Sequence, residues 1–223
     1  MGKLILVPTP IGNIEDISNR AKQCISNAVK VLAEDTRVTG KLMKLLGLKV
    51  KLESFHMHNE HLKVNQVVEN IKSHDLDTVL VCDAGTPGIS DPGYLLVRKC
   101  IQEEVLVEAL PGPTALIPAL VGSGFPSDRF IFDGFLPLKK GRKSRISEWK
   151  HEKRTIIFYE SPHRLMRCLK EMKDKLGGNR SICVAREISK LYETYHRGTI
   201  DELIFYFSDN DIKGELVILI SPK

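Results

Sequence analysis

The sequence predicts an α/β protein of two units, an N-terminal unit on a mostly parallel sheet (residues 1–115) and a C-terminal unit on a mixed sheet (residues 116–223). Through the first 110 residues, short apolar runs alternate with amphipathic stretches of helical length. Several of those runs are apolar throughout, the pattern of strands buried on both faces of a parallel sheet. Beyond about residue 120, strand-like segments follow one another across short or polar links, which suits a mixed sheet. The Gly- and Pro-rich stretch 111–126, which also holds a short helix, separates the two regimes and is the expected junction.

The elements follow in order. Residues 3–7 form an apolar strand stopped by Pro8-Thr9-Pro10 and Gly12-Asn13. A helix opens at Asp16 and runs to Ala28, and residues 29–33 make the second strand. Thr36 caps a helix that Gly47 stops. Residues 49–54 are a weak strand, Asn59 caps a helix to Ser73, and residues 77–82 are a strongly apolar strand. The eleven-residue loop 83–93 leads into a helix to Glu103, then strand 105–110 and the turn Pro111-Gly112-Pro113. In the second unit, strand 129–136 precedes a basic helix, strand 155–160 and a helix from Ser161-Pro162 to Leu176. Strands 181–188 and 193–197, helix 200–207 and strand 215–221 complete it.

A chain of 223 residues with 42% hydrophobic and 27% charged residues needs no disulfide or metal staple and is neither disordered nor collagen-like. Its longest apolar runs, 4–7 and 216–220, fall far short of the roughly 20 residues that span a bilayer. The N-terminus lacks the features of a signal peptide, and Leu6 stands where a myristoylation site wants Ser or Thr. The five cysteines are odd in number and lack a CxxC pair, and four of them sit in apolar or helical contexts and read as buried free thiols, which fits a reducing cytoplasm. The net charge of +5 is concentrated: residues 137–154 hold eight basic side chains against Glu148 and Glu152, and the rest of the chain is near neutral. Such a segment suits a phosphate backbone.

There is no GxGxxG after the first strand and no P-loop. Instead, three loops rich in Gly and Pro follow strand ends, at residues 8–13, 83–93 and 111–115. Open α/β sheets bind ligands at that edge. Glycine admits close backbone approach and proline removes loop entropy, so the three loops together could grip a flat ring and a ribose.

Longer motifs then become specific. Val7-Pro-Thr-Pro-Ile-Gly-Asn-Ile-Glu-Asp-Ile17, Glu34-Asp-Thr-Arg37, His58-Asn-Glu60, the whole of 83–93, Pro111-Gly-Pro113, Tyr159-Glu-Ser-Pro-His-Arg-Leu165, Ala185-Arg-Glu-Ile188 and Lys213-Gly-Glu215 occur in that order. Over essentially its whole length the chain resembles the ribosomal RNA small-subunit methyltransferase I family, 2'-O-methyltransferases of the tetrapyrrole methylase fold. Many members of that family continue past the last strand into a small helical extension, whereas this sequence stops at Lys223.

The resemblance implies S-adenosylmethionine as methyl donor, bound between two α/β domains. It implies a cytidine ribose in the decoding region of small-subunit RNA as acceptor, a homodimer, and no metal. It places cofactor contacts at Pro10, Ile11, Gly12, Asp83, Gly85, Thr86, Gly88, Ile89, Thr114, Ala115, Tyr159 and Arg186. RNA contacts are expected at Arg37, His58, Lys139, Lys140, Arg142, Lys143, Arg145, His163 and Arg164. Methyl transfer needs orientation, and the attacking hydroxyl needs a base. The catalytic candidates are Asp83, Glu60 and Asp35, with Glu160 and Glu187 as further acids. His56, His58 and His61 have spacing that could reach a metal ion, but hydrogen bonding is the preferred reading. Trp149 is read as a core anchor in preference to a base-stacking platform. The alternatives are a non-catalytic RNA-binding or assembly factor, which needs no methyl donor, and a methylase of small tetrapyrroles, against which the basic segment argues.

Overall fold

The computed structural model describes residues 2–73 and 77–223. It comprises two compact units, Met1–Thr114 and Ala115–Lys223.

In the first unit, β1 (Leu4–Leu6), α1 (Asn19–Asn27), β2 (Lys30–Ala33), α2 (Thr36–Leu45), β3 (Leu52–Ser54), α3 (Glu60–Ser73), β4 (Thr78–Val81), α4 (Tyr94–Gln102) and β5 (Val107–Ala109) alternate along the chain. The sheet order is β3-β2-β4-β1-β5 and every pairing is parallel. Alternation along each strand sends successive side chains to opposite faces. Leu4, Leu6, Leu32 and Leu80 meet Val64, Val67, Val68 and Ile71 of α3 and Leu96 and Cys100 of α4 on one face. Ile5, Val31, Ala33, Val79 and Val81 meet Ala21 and Ile25 of α1 and Met43 of α2 on the other. Two cores on one sheet explain why β1, and β2 and β4 after their first residues, are apolar without alternation. A parallel sheet also puts every strand's C-terminal end on one edge, which gathers the loops that follow β1, β2, β3, β4 and β5.

The second unit contains α5 (Leu116–Ser123), β6 (Phe130–Phe135), α6 (Arg142–Glu148), β7 (Thr155–Glu160), α7 (Leu165–Leu176), β8 (Ser181–Arg186), β9 (Thr194–Thr199), α8 (Ile200–Asp209) and β10 (Leu216–Ile220). Its sheet order is β6-β7-β10-β8-β9, parallel at β6–β7 and antiparallel at every other pairing. One face packs Ile156, Phe158, Ile182, Val184, Leu216, Ile218 and Ile220 against α6, α7 and α8, including Ile146, Leu165, Leu169, Met172 and Leu203.

Several helix and strand ends differ from expectation for local reasons. A 3₁₀ turn occupies Ile14–Asp16, and α1 is capped by Ser18, whose hydroxyl accepts the Ala21 N–H. Asp35, not Thr36, caps α2 by accepting the Arg37 N–H. Asn59 turns its side-chain oxygen back to the His56 N–H at 2.8 Å, and α3 begins at Glu60. β8 ends at Arg186 because Glu187 and Ser189 take φ of 52° and 65°, outside the range of a strand. The basic segment is α-helical only over Arg142–Glu148, followed by a 3₁₀ turn at Trp149–His151. Among the described residues, no helix is long and apolar enough to cross a membrane, and all five cysteines are free.

Candidate functional site

The loops at the strand-end edge of the first unit are tied to one another by backbone bonds. The Thr9 N–H donates to the Gly85 carbonyl and the Gly85 N–H to the Thr9 carbonyl, each at 2.9 Å. The buried Thr9 hydroxyl donates to the Cys82 carbonyl, and the Thr86 hydroxyl donates to the Pro113 carbonyl at 3.0 Å. A Cβ on Gly112 would lie 2.8 Å from the Pro8 Cβ, so the turn after β5 packs directly on the loop after β1. Gly85 holds φ at 86°, a conformation that side chains disfavour. The structure therefore brings Pro10, Ile11, Gly12, Asp83, Gly85, Thr86, Gly88, Ile89 and Thr114 to one edge, with Gly12, Gly88 and Ile89 exposed.

Beside these loops lies an acidic group from two strand ends, Glu34 and Asp35 after β2 and Asp83 and Asp91 after β4. Asp83 accepts the Asp35 N–H at 3.1 Å. Burial, then the Asp35 charge, raises the Asp83 carboxyl above the ordinary range. Burial and the Asp83 charge raise Glu34. Burial and the Glu34 charge push Asp91 up to about 6. Asp35 moves the other way, held well below the usual carboxylate range by hydrogen bonds from the exposed Arg37. Glu34 and Asp91 were not among the expected site residues. Each lies inside a motif already singled out, but only the fold sets it against Asp83.

This group fixes a pH dependence. The folded-state pKa of Asp91 lies above the unfolded value, so the folded protein holds a proton the unfolded chain has lost between the two. Its contribution to stability is therefore present at low pH and lost as pH rises through about 6. Urea unfolding at about pH 4.5 and about pH 7.5 should show Asp91→Asn losing less stability across that interval than the unsubstituted protein. Equal losses would mean that Asp91 is an ordinary surface acid.

Glu60 is corrected from a catalytic candidate to a helix cap. It is 7% exposed, and one carboxylate oxygen accepts the N–H groups of Gly93, Leu95 and Leu96 at 3.0–3.3 Å. It fastens the far end of loop 83–93 to the start of α4. Its caps are more than thirty residues away, and no local pattern announces them. His58 and His61 are exposed, and the rings of His56 and His58 meet edge to face at 5.9 Å. Among the described residues, no group of three His, Cys, Asp or Glu side chains could hold a metal ion.

The remaining expected residues lie in the second unit. Ala115 is its first residue. Tyr159 on β7 is flanked by Phe132 at 5.0 Å and Phe135 at 5.3 Å. Arg186 ends β8 and donates to the carbonyls of Lys213 and Tyr192. The carboxylate of Glu187 accepts the Glu215 N–H at 2.8 Å and the Lys190 ammonium at 3.0 Å, which locks two of the sequence motifs together.

Lys139, Lys140, Lys143 and Arg145 are exposed, with Arg145 paired to Glu148 and Asp133. His163 is exposed and Arg164 half-buried. Arg142 is corrected: it is 1% exposed and bridges Glu160 and Glu171, both at 2.6 Å. It cannot reach RNA, and Glu160 is committed to this cluster. Trp149 is buried against Phe158 and donates its indole N–H to Asp133, as a core anchor does.

A parallel sheet with Gly- and Pro-rich loops at its C-terminal edge, followed by a mixed-sheet unit, goes with a family match: the family described as Tetrapyrrole (Corrin/Porphyrin) Methylases matches residues 3–204. The methyltransferase CobJ shares the fold, with a TM-score of 0.70 at 15% identity over 100% of this chain and 95% of CobJ. The cobalt precorrin-4 methyltransferase CbiF gives 0.68 at 18% identity over 98% and 94%. The chain belongs to this tetrapyrrole methylase family, and within it to the ribosomal RNA small subunit methyltransferase I proteins. The Vibrio cholerae protein of that name is 48% identical over 220 residues, which are 97% of this chain and 76% of that protein. The Thermotoga maritima protein is 41% identical over the full length of both chains. The protein is a methyltransferase and its methyl donor is S-adenosylmethionine.

Proposed function

We propose that this protein methylates the ribose 2'-hydroxyl of a cytidine in the decoding region of small-subunit ribosomal RNA, as a homodimer in the cytoplasm. The observation that carries the RNA reading is near-full-length identity of 41–48% to proteins named ribosomal RNA small subunit methyltransferase I. The exposed lysines of the basic segment support it.

The first unit fits the donor. Its three loops are preassembled by the Thr9–Gly85 bridge and the Thr86–Pro113 bond, so a ligand meets a formed cradle rather than ordering one. Pro10, Ile11, Gly12, Gly85, Thr86, Gly88, Ile89 and Thr114 supply backbone groups and small apolar contacts. Asp83 raises the pKa of Glu34, and Glu34 and Asp83 together raise that of Asp91, so a cationic ligand relieves that repulsion. When bound, S-adenosylmethionine supplies an electrophilic methyl group on a sulfonium and a cationic amino acid end. Asp83, carried at the end of β4, is the proposed base that accepts the hydroxyl proton, because burial makes its carboxylate more basic than usual. Asp35, held acidic by Arg37, is a poor base and instead orients Arg37 toward solvent for a phosphate contact.

Incubation with labelled S-adenosylmethionine and small ribosomal subunits lacking the modification should place one label on a cytidine 2'-oxygen. Label on a base, or transfer only to a small tetrapyrrole, would overturn the proposal.

A further inference from the structure

The second unit holds five charged side chains in one chain of contacts. Arg164 donates its Nε–H to Glu160 at 2.7 Å, Glu160 accepts from Arg142 at 2.6 Å, Arg142 donates to Glu171 at 2.6 Å, and Glu171 accepts the Arg167 Nε–H at 2.9 Å. The centre is dry: the side chains of Arg142, Glu160 and Glu171 are 1%, 0% and 10% exposed. The ends are wet, with Arg164 at 30% and Arg167 at 54%. Three cations on two carboxylates leave one positive charge in excess.

Stability alone does not account for such a cluster, since apolar residues of similar volume hold a core as well as a buried ion pair or better. Its output is orientation. An exposed arginine normally samples many rotamers and gains little from a surface carboxylate. Here each outer arginine is held by its Nε edge to a carboxylate that Arg142 immobilises. Their terminal amino groups have no protein partner among the described residues. Arg164 precedes α7 and Arg167 lies in its first turn, which puts them on neighbouring positions of one face. Guanidinium groups fixed this way bind a planar pair of phosphate oxygens with little further ordering cost.

We propose that Arg164 and Arg167 form a preset phosphodiester-binding pair for the RNA backbone, with Arg142, Glu160 and Glu171 as its positioning residues. This rests on the RNA reading above. It assigns a contact role to Arg167 and takes that role from Arg142.

The test is the salt dependence of affinity for a small-subunit RNA fragment. Arg164→Gln and Arg167→Gln should each flatten the slope of log affinity against log salt by about 0.7–0.9, with S-adenosylmethionine affinity unchanged. Glu171→Gln keeps both outer cations but frees Arg167, so it should weaken RNA binding with little change in slope. Lys173→Gln, on the same helix but paired with Asp201, should leave affinity and slope alone. Salt-dependent RNA binding by the unsubstituted protein, with unaltered slopes in both arginine variants, overturns the pair and leaves the RNA reading intact. Absence of such binding in the unsubstituted protein overturns both.

Discussion

Replacing Gly85 by valine is expected to lower S-adenosylmethionine affinity by about fivefold or more while the protein stays folded. Gly85 sits at φ 86° and exchanges two backbone hydrogen bonds with Thr9. Its would-be Cβ meets Ile11 at 3.5 Å and the Pro113 carbonyl at 3.9 Å, so space is adequate and backbone conformation is the obstacle. A β-branched residue held at positive φ costs on the order of 1–3 kcal/mol. Rotating the peptide to escape that strain breaks the Thr9 bridge and lets the loops after β1 and β4 part. Transferred to binding, the same energy is roughly a 5- to 150-fold loss. Neither hydrophobic core of the first unit includes residue 85, so the unfolding transition should move little. Calorimetry that returns unchanged affinity would remove these loops from the donor site.

The largest stability effect is expected at Arg142. Arg142→Met deletes the only cation in contact with both Glu160 and Glu171 among the described residues and leaves Glu160 with Arg164, and Glu171 with Arg167, as the remaining ion-pair partner. Leaving a buried charge wholly unpaired costs about 3–5 kcal/mol; the outer arginines offset part of that here, and the remainder is still a sizeable share of the roughly 5–15 kcal/mol that holds a domain folded. Arg142→Lys should cost less but still measurably, because one ammonium cannot serve two carboxylates with the fork of a guanidinium. The pH dependence has a definite sign. Hydrogen bonds from Arg142 and Arg167 hold Glu171 below its ordinary pKa despite burial, so its stabilisation is present above the unfolded value and is lost as pH falls through the folded one. The gap between the unsubstituted protein and Arg142→Met should therefore narrow in acid. Urea denaturation at neutral pH showing less than about 1 kcal/mol of loss would mean that the cluster is not the anchor of α6 and α7.

Much of the architecture follows from short-range pattern. The apolar runs at β1, β2 and β4 specify strands covered on both faces, because no amphipathic alternative exists for Leu-Ile-Leu or Thr-Val-Leu-Val. The Gly- and Pro-rich loops are legible because those residues change what the backbone itself can do. Charged residues are not legible in the same way. Arg142 stands in a run of surface cations and differs from Lys143 in nothing local, yet one is buried and the other exposed. Its partners are 18 and 29 residues away, on β7 and α7.

By itself, then, the sequence determined the strand and helix periods, the parallel sheet, the loops at its edge and the methyltransferase family. Only the tertiary structure decided which acids repel one another beside Asp83, that Glu60 caps α4, and which arginine is buried. Backbone propensity and hydrophobic period act over a few residues, so they are written in the chain. A charge takes its role from whichever groups the fold sets within about 4–6 Å of it, and those groups come from elements the chain itself keeps far apart.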